Sequence, residues 1–386
     1  MSKSNVKRLN VQYISLLLLL LFISSLSLPV DVQANETPYP GQLINIGSHR
    51  LHIHCVGEGT PSVIIDSGIG GFSLEWSKIQ DSLSTNARIC SYDRAGYGWS
   101  DPGPRPRTTA RISRELKTLL KEAKIPGPYV LVGHSFGGYN IRYFASESPE
   151  LVAGLVFIDS SHPEQFNTEE FKRVARTENK ETKYKKSYRV RLIRPIIAEN
   201  YPQNNKRLAF RLMSSYKSKS TLINESDFMK ISAKQVALRS NEQPYTFPVV
   251  IITRGKRVWP HNELGDRREQ QWSNLQNDLE NLAIKPYHFK AYSSGHVVHL
   301  DQPELVSENI LLTVEKARRQ IFEEELIKKF DIRQANHVVF PEPIANETTY
   351  ELNTINFEKY SFFDAPIHQT KFDPELLYLR NRKSFP

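Results

Sequence analysis

The strongest constraint on the fold is the stretch VLVGHSFGGY at residues 130–139. An apolar run leads into a G-x-S-x-G pentapeptide, and a helical pattern follows it. A turn between a buried strand and a helix is so tight that small residues are needed around its central residue. The stretch therefore predicts a strand–turn–helix unit with Ser135 at the tip, either as a nucleophile or as part of a structural junction. The flanking strand and helix favour the nucleophile.

The order of the other predicted elements indicates an α/β protein. Residues 42–56 alternate apolar and polar side chains around a Gly-Ser pair, which predicts a β-hairpin. Strands alternating with helices are typical of a mostly parallel sheet that is covered on both faces. Strands are predicted at 61–66, 87–92, 129–132, 152–158, 248–253 and 286–292, and helices at 76–83, 109–123, 138–148, 266–282 and 303–327.

The segment 162–246 interrupts this alternation and is predicted to be a helical insertion over one end of the sheet. It carries 18 Lys or Arg against 9 Asp or Glu. Such a basic excess suits contact with an anionic membrane surface or anionic substrates, although solvated helix faces would give the same composition. No nucleic-acid-binding motif accompanies it, so nucleic acid is not an expected partner.

The two ends of the chain are predicted to lie outside the folded domain. Residues 1–34 combine a basic start, a short apolar run and Ala34 placed for cleavage, which is typical of an export signal. Its removal lowers the net charge from +9 to +7, and a secreted or periplasmic location is expected. An uncleaved membrane anchor is the alternative. Residues 35–318 form the predicted domain, and 319–386 form an extension of unknown role.

A general base for Ser135 is expected after the last strand. His296 follows the strand predicted at 286–292 and precedes a helix, so its imidazole can reach the nucleophile. His299 is a weaker alternative. An oxyanion needs two N–H donors. We expect them from Phe136 and from Ile69, which lies in the glycine-rich loop 67–71, where Gly68 and Gly70 are alternatives.

Four motifs occur along the chain: DSGIGG at 66–71, SYDRAGYGWS at 91–100, GHSFGG at 133–138 and SGHVVHLDQP at 294–303. Together they resemble the α/β-hydrolase superfamily. The resemblance covers about residues 41–318 and implies a sheet of about eight strands, a nucleophile–acid–base order along the chain, and a lid after the sixth strand, where 162–246 lies. No metal or organic cofactor is implied. Relatives that open epoxides or displace halide carry aspartate at the elbow, so Ser135 favours acyl transfer.

The triad acid departs from the usual pattern of that superfamily. Most members place it just after the strand that follows the lid, where this chain has the basic sequence TRGKRVW at 253–259. A minority take it from the end of the strand before the lid, which here ends in Asp159. We favour Asp159 as the acid, with Glu263 and Asp266 as alternatives.

The resemblance also makes the strands of Cys55 and Cys90 neighbours, so a disulfide bond between them is predicted, with two buried thiols as the alternative. The whole pattern predicts an exported serine hydrolase that acts on carboxylic esters. A proline-releasing peptidase or amidase is one alternative, although the basic insertion does not suit a substrate amine. A catalytically inactive binding module is the other.

Overall fold

The computed structural model describes residues 40–166, 197–239 and 243–330. The predictions of an export signal at 1–34 and of part of the insertion at 167–196 lie outside these residues, as does the chain beyond 330. In the three described ranges, no helix has both the length and the apolar character that a membrane crossing requires.

Eight strands of the described chain form one sheet, in the order β1-β2-β4-β3-β5-β6-β7-β8. β1 and β2 form the predicted hairpin and pair antiparallel with each other, as do β2 and β4, whereas all other pairs are parallel. The predicted mostly parallel sheet is confirmed. The strands are β1 Gln42–Asn45, β2 Arg50–Val56, β3 Ser62–Asp66, β4 Ile89–Tyr92, β5 Tyr129–His134, β6 Val152–Ile158, β7 Val249–Arg254 and β8 Tyr287–Ala291.

Nine α-helices lie in the described ranges, and five short 3-10 segments join them. The helix after the elbow begins at Phe136, two residues earlier than predicted, so it starts directly after Ser135. The α-helices are α1 Ser77–Leu83, α2 Thr109–Glu122, α3 Phe136–Glu147, α4 Lys206–Ser214, α5 Tyr216–Asp227, α6 Met229–Ala237, α7 Glu263–Asp278, α8 Val298–Asp301 and α9 Pro303–Phe330.

Both faces of the sheet are buried. Along β5, Leu131 faces a core that it shares with α2 and α3, whereas Val130 and Val132 face a second core built with α1 and α9. This alternation follows from the two-residue period of a strand. A sheet covered on both faces is typical of parallel strands. It also leaves the strand ends as the places where a site can form.

Helices α4, α5 and α6 lie between β6 and β7 and pack on the loops at one end of the sheet. Ser232 Oγ accepts a 3.1 Å hydrogen bond from the backbone N–H of Thr109. A Cβ built on Gly70 would lie 3.1 Å from Leu222 Cδ1, so α5 lies directly over the glycine-rich loop after β3. Residues 206–239 carry eight Lys or Arg against two acidic residues.

The last described helix, α9, continues past residue 318, where the sequence predicted the domain to end. Arg318 Nε donates to the carbonyl of Thr60 at 2.9 Å, and Arg318 Nη2 donates to the carbonyl of Asn86 at 3.0 Å. The helix therefore still contacts the sheet domain at that point, and it runs on to Phe330.

Cys55 and Cys90 form a disulfide bond between β2 and β4. They occupy directly opposed positions of that antiparallel pair. The bond closes a loop of 35 residues at the edge of the sheet.

The Cys55→Ala/Cys90→Ala double variant is expected to lose about 3–4 kcal/mol in free energy of unfolding, because a cross-link over such a loop restricts the unfolded chain. Urea unfolding of both proteins measures the loss. As a control, a reducing agent should destabilise the wild type and leave the double variant unchanged. A loss below about 1 kcal/mol would contradict the expectation.

Candidate active site

Ser135 sits on a strained turn between β5 and α3. Its φ of 50° and ψ of −118° are unusual for a residue with a side chain. Its N–H donates to the carbonyl of Ile158 at 3.1 Å, which ties the turn to the end of β6. A Cβ built on Gly133 would lie only 2.7 Å from the Gly137 backbone, so the turn requires glycine there. The strain exposes the Ser135 side chain at the strand ends.

Three sequence-predicted residues meet at this turn. The Oγ of Ser135 lies 3.0 Å from His296 Nε2, and His296 Nδ1 lies 2.6 Å from Asp159 Oδ2. A carboxylate only accepts hydrogen bonds, so the imidazole donates through Nδ1–H and presents a lone pair at Nε2 to the serine hydroxyl. This arrangement can remove a proton from Ser135.

Asp159 is completely buried at the end of β6. Burial by itself would raise the pKa of its carboxyl group. The hydrogen bond and charge of His296 outweigh that effect, helped by the charge of Arg254 and a hydrogen bond from Trp272, and the pKa lies below its ordinary value. The Nε1–H of Trp272 donates to Oδ1 at 2.8 Å. Asp159 is thus held as a carboxylate.

Arg254, the first basic residue of the 253–259 turn, binds the acid rather than replacing it. Its Nη1 donates to Asp159 Oδ2 at 2.9 Å, and its Nη2 donates to Glu269 at 3.1 Å. The guanidinium lies against the rings of Trp259 and Trp272, at 4.8 and 5.0 Å from their centroids. The basic turn is therefore the support of the buried carboxylate.

The loop that carries His296 is fixed by a carboxylate on α8. Asp301 Oδ2 accepts hydrogen bonds from the N–H of Gly295 at 2.9 Å and from Ser294 Oγ at 3.0 Å. The His296 side chain is 39% exposed, so one edge of the imidazole is open to substrate.

The two alternative acids lie on α7 and make other contacts. Glu263 is strongly exposed and pairs with Arg267 on the same helix. Asp266 pairs with Arg257, also near the surface. The structure thus brings Asp159 to His296, whereas the contacts of Glu263 and Asp266 are with arginines.

The loop after β3 lies close to Ser135. A Cβ built on Gly68 would lie 3.3 Å from Ser135 Cβ. The buried guanidinium of Arg94 donates to the carbonyls of Ser67 at 2.6 Å and Gly68 at 2.8 Å. A carbonyl and the following N–H point in opposite directions across a peptide. Arg94 therefore turns the N–H groups of Gly68 and Ile69 away from itself.

Arg94 is in turn held by two buried carboxylates. Asp66 accepts from Nη1 at 2.9 Å, and Glu225, which belongs to α5, accepts from Nη2 at 3.0 Å. The hydroxyl of Tyr97 donates to Glu225 at 2.9 Å. This network links the inserted helices to the loop beside Ser135.

The other two histidines near the turn do not contact Ser135 through a hydrogen bond in the described structure. His134 points away from Ser135 and bonds through Nε2 to the carbonyl of His296 at 2.8 Å. His299 is buried and stacks on Trp76, with 4.1 Å between ring centroids.

Comparison with known proteins agrees with the observed fold. A family model described as the alpha/beta hydrolase fold matches residues 61–180. A candidate lipase from Acinetobacter baumannii superposes with a TM-score of 0.52 at 18% identity, covering 72% of this chain and 92% of that one. The chain has the α/β-hydrolase fold.

Sequence relatives of this α/β-hydrolase are distant or partial. "Probable transporter efuK" of Hormonema carpetanum is 38% identical over 127 residues, which are 31% of this chain and 18% of that protein. The uncharacterized protein YqjL of Bacillus subtilis is 24% identical over 66% of this chain and 83% of its own length. The chain spans about a fifth to a quarter of the first curated relatives that it matches.

Several residues of this α/β-hydrolase site escaped sequence reasoning. The only sequence signal for Arg254 was that a basic residue stands where most members of the superfamily place the triad acid. Trp272 lies inside a helical pattern, and Glu225 lies in the insertion, so nothing in their spacing pointed to the site. Each reaches it through tertiary packing alone.

Replacing Arg254 by glutamine is expected to raise the pKa of Asp159, because a positive charge in contact with the carboxylate is lost. Protonated Asp159 is a weaker acceptor for the Nδ1–H of His296 and no longer stabilises the imidazolium, so the loss of kcat/KM for an ester at acidic pH should begin at a higher pH than in the wild type. Arg239→Gln, which removes a surface pair with Glu147, is the matched control. Identical profiles for Arg254→Gln and the wild type would contradict the expectation.

Proposed function

We propose that the protein is a serine hydrolase that cleaves carboxylic esters through an acyl-enzyme on Ser135. The observation that carries this proposal is the continuous hydrogen-bonded chain from Ser135 through His296 to the buried Asp159. The α/β-hydrolase fold supports hydrolysis, and a serine at the elbow supports acyl transfer.

The proposed reaction follows from the hydrogen-bond directions. His296 Nε2 takes the proton of Ser135 while Oγ forms a bond to the ester carbonyl carbon, whose oxygen takes the electron pair. The N–H of Phe136 and an N–H of the loop 67–71 hold this oxyanion. Its collapse breaks the bond to the alcohol oxygen, which receives the proton from Nε2. Water then attacks the acyl-enzyme in the same way and releases the acid.

An apolar acyl group suits the surroundings of the turn. Phe136 and Tyr139 of α3 pack with Ile69, Phe166 and Met229 in one apolar cluster beside the site. Helix α6 contributes Met229 to this cluster, α5 lies over the adjoining loop at Gly70, and we propose that the two helices act as a lid. A substrate amine would find arginine and lysine in excess there, which favours an ester over a proline-releasing peptidase reaction.

We also propose that the protein acts after export, to the periplasm or outside the cell. The apolar segment with basic residues before it supports a signal at 1–34. The disulfide bond supports the same location, because such bonds persist in oxidising compartments.

Labelling with a fluorophosphonate probe tests the proposed chemistry. The wild type should be labelled at one serine, Ser135→Ala should not be labelled, and His296→Ala should be labelled far more slowly. Ser146→Ala, on the same helix α3, is the control and should label as the wild type does. Labelling that survives in Ser135→Ala would show that another serine is reactive. That result would refute both the proposed role of Ser135 and the alternative of an inactive binding module.

A further inference from the structure

Three side chains that the proposed reaction does not use converge behind the elbow. Glu75 comes from the 3-10 segment before α1, His134 from the end of β5, and His299 from α8. One nitrogen of each imidazole and one oxygen of the carboxylate all lie within 4.8 Å of one another. They lie close to His296, whose ring centroid is 4.9 Å from that of His134.

The hydrogen bonding of His134 leaves one ring nitrogen available as a ligand. Its Nε2 lies 2.8 Å from the carbonyl of His296, and a carbonyl only accepts, so Nε2 carries the hydrogen and Nδ1 carries a lone pair. Nδ1 is buried and has no hydrogen-bonding partner among the described residues.

The other two members are similarly unsatisfied. Both ring nitrogens of His299, and Glu75 Oε1, are buried without a hydrogen-bonding partner in the described part of the chain. His299 Nε2 and Glu75 Oε1 are 3.6 Å apart, beyond a hydrogen bond. Buried polar atoms nearly always have a partner, so three orphaned groups aimed at one place need an explanation.

We propose that Glu75, His134 and His299 bind one divalent transition-metal ion of the zinc type. Two imidazoles and a carboxylate are a donor set that zinc prefers, with water as the fourth ligand. Two donors on one tetrahedral zinc ion lie about 3.3–3.5 Å apart given its usual bond lengths. The 3.6 Å separation of His299 and Glu75 is already close to that value.

The surroundings of the cluster leave room and charge for such an ion. The glycine-rich loop passes beside it without side chains: a Cβ on Gly68 would lie 2.7 Å from His134 Nδ1, and one on Gly71 would clash with Glu75 Oε1. The positive charge of Arg94 nearby is more than balanced by Asp66 and Glu225. Trp76, stacked on His299, fixes the orientation of that ring.

The ion would have a positioning role that goes beyond the proposed ester hydrolysis. It would fix His134 on one side, and the Nε2–H of His134 would then hold the backbone carbonyl of the base His296 on the other. Histidines that bind metals commonly donate their other ring N–H to a carbonyl in this way, and the bond fixes the orientation of the ring. Ser135 and His296 remain the residues that touch the substrate, and Asp159 acts through His296.

Zinc content and affinity of the full chain test the proposal. After treatment with a chelator and dialysis against micromolar zinc, the wild type should hold about one ion per chain. Glu75→Gln and His299→Gln should each bind zinc more than about tenfold more weakly. His261→Gln, which removes an exposed histidine, and His296→Ala should bind as the wild type does. Equal affinity in all four variants, or affinity lost in His296→Ala alone, would overturn the proposal.

A second measurement does not depend on any variant remaining folded. Cobalt(II) added to the chelated wild type should give the intense visible absorption of a four-coordinate site, and zinc should abolish it. A featureless spectrum, or zinc content near zero in the wild type, would show that His299 and Glu75 merely pair with each other. Fluorophosphonate labelling of Ser135 reports separately on the hydrolase proposal, so the two can fail independently.

Discussion

Replacing Ser135 by alanine is expected to lower kcat for a p-nitrophenyl ester by about 10⁴–10⁶-fold, because the group that forms the acyl-enzyme is removed. Alanine keeps the Cβ, so the strained turn with φ of 50° should persist. Stopped-flow or steady-state release of nitrophenol measures the effect, and near-ultraviolet circular dichroism checks the fold. Ser146→Ala again serves as the control and should retain wild-type kcat.

The companion variant His296→Ala should lose about as much activity as Ser135→Ala, and the double variant should lose little more than either alone. Such non-additivity is expected where nucleophile and base act as one unit. Losses that multiply in the double variant would show that the 3.0 Å contact between Oγ and Nε2 does not carry the reaction. A Ser135→Ala enzyme with more than about a tenth of wild-type kcat would require a different nucleophile.

The sequence predicted the elbow well because its causes are local. A strand, a turn that needs glycine and a helix are all encoded within residues 129–147, and the structure has them with a shift of two residues at the helix start. The position of His296 at a strand end was likewise readable, because β8 and α9 are strongly patterned. The sheet followed from the alternation of strands and helices.

The residues around Asp159 were not predictable in this way. Which carboxylate reaches His296 depends on how β6, β7 and α7 pack, and the sequence left Asp159, Glu263 and Asp266 open. In the structure, the guanidinium of Arg254 contacts Asp159 and lies against the rings of Trp259 and Trp272. No local pattern encodes a contact between side chains that lie so far apart in the chain.

The cluster of Glu75, His134 and His299 illustrates the same limit. Its members come from three distant parts of the sequence and show no metal-binding spacing. Each also has an ordinary local explanation, as part of a short helix, an elbow or a helix start. Only the sheet topology, which places the ends of β3 and β5 side by side, brings them together.

Asp159→Asn is expected to lower kcat by about 10³–10⁴-fold while leaving the structure intact, because it puts His296 into the wrong tautomer. Asp159 Oδ1 accepts from the Nε1–H of Trp272 at 2.8 Å and from Arg254, so the asparagine oxygen should take that place. Its amide NH₂ then faces His296 Nδ1 as a donor. The imidazole hydrogen moves to Nε2, and the lone pair that should accept the Ser135 proton is lost.

The matched controls are Glu263→Gln and Asp266→Asn, which remove the alternative acids from the surface of α7. Both variants should retain kcat within about twofold, because substitutions at surface sites usually have small effects. Ester hydrolysis measured across pH separates the outcomes. An Asp159→Asn enzyme with wild-type kcat would contradict the assignment, and a large loss in Glu263→Gln instead would transfer the role to α7. Asp159 is fully buried and its pKa is lowered, so it is a carboxylate across the neutral pH range. The kcat of Asp159→Asn should therefore be reduced at every pH in that range.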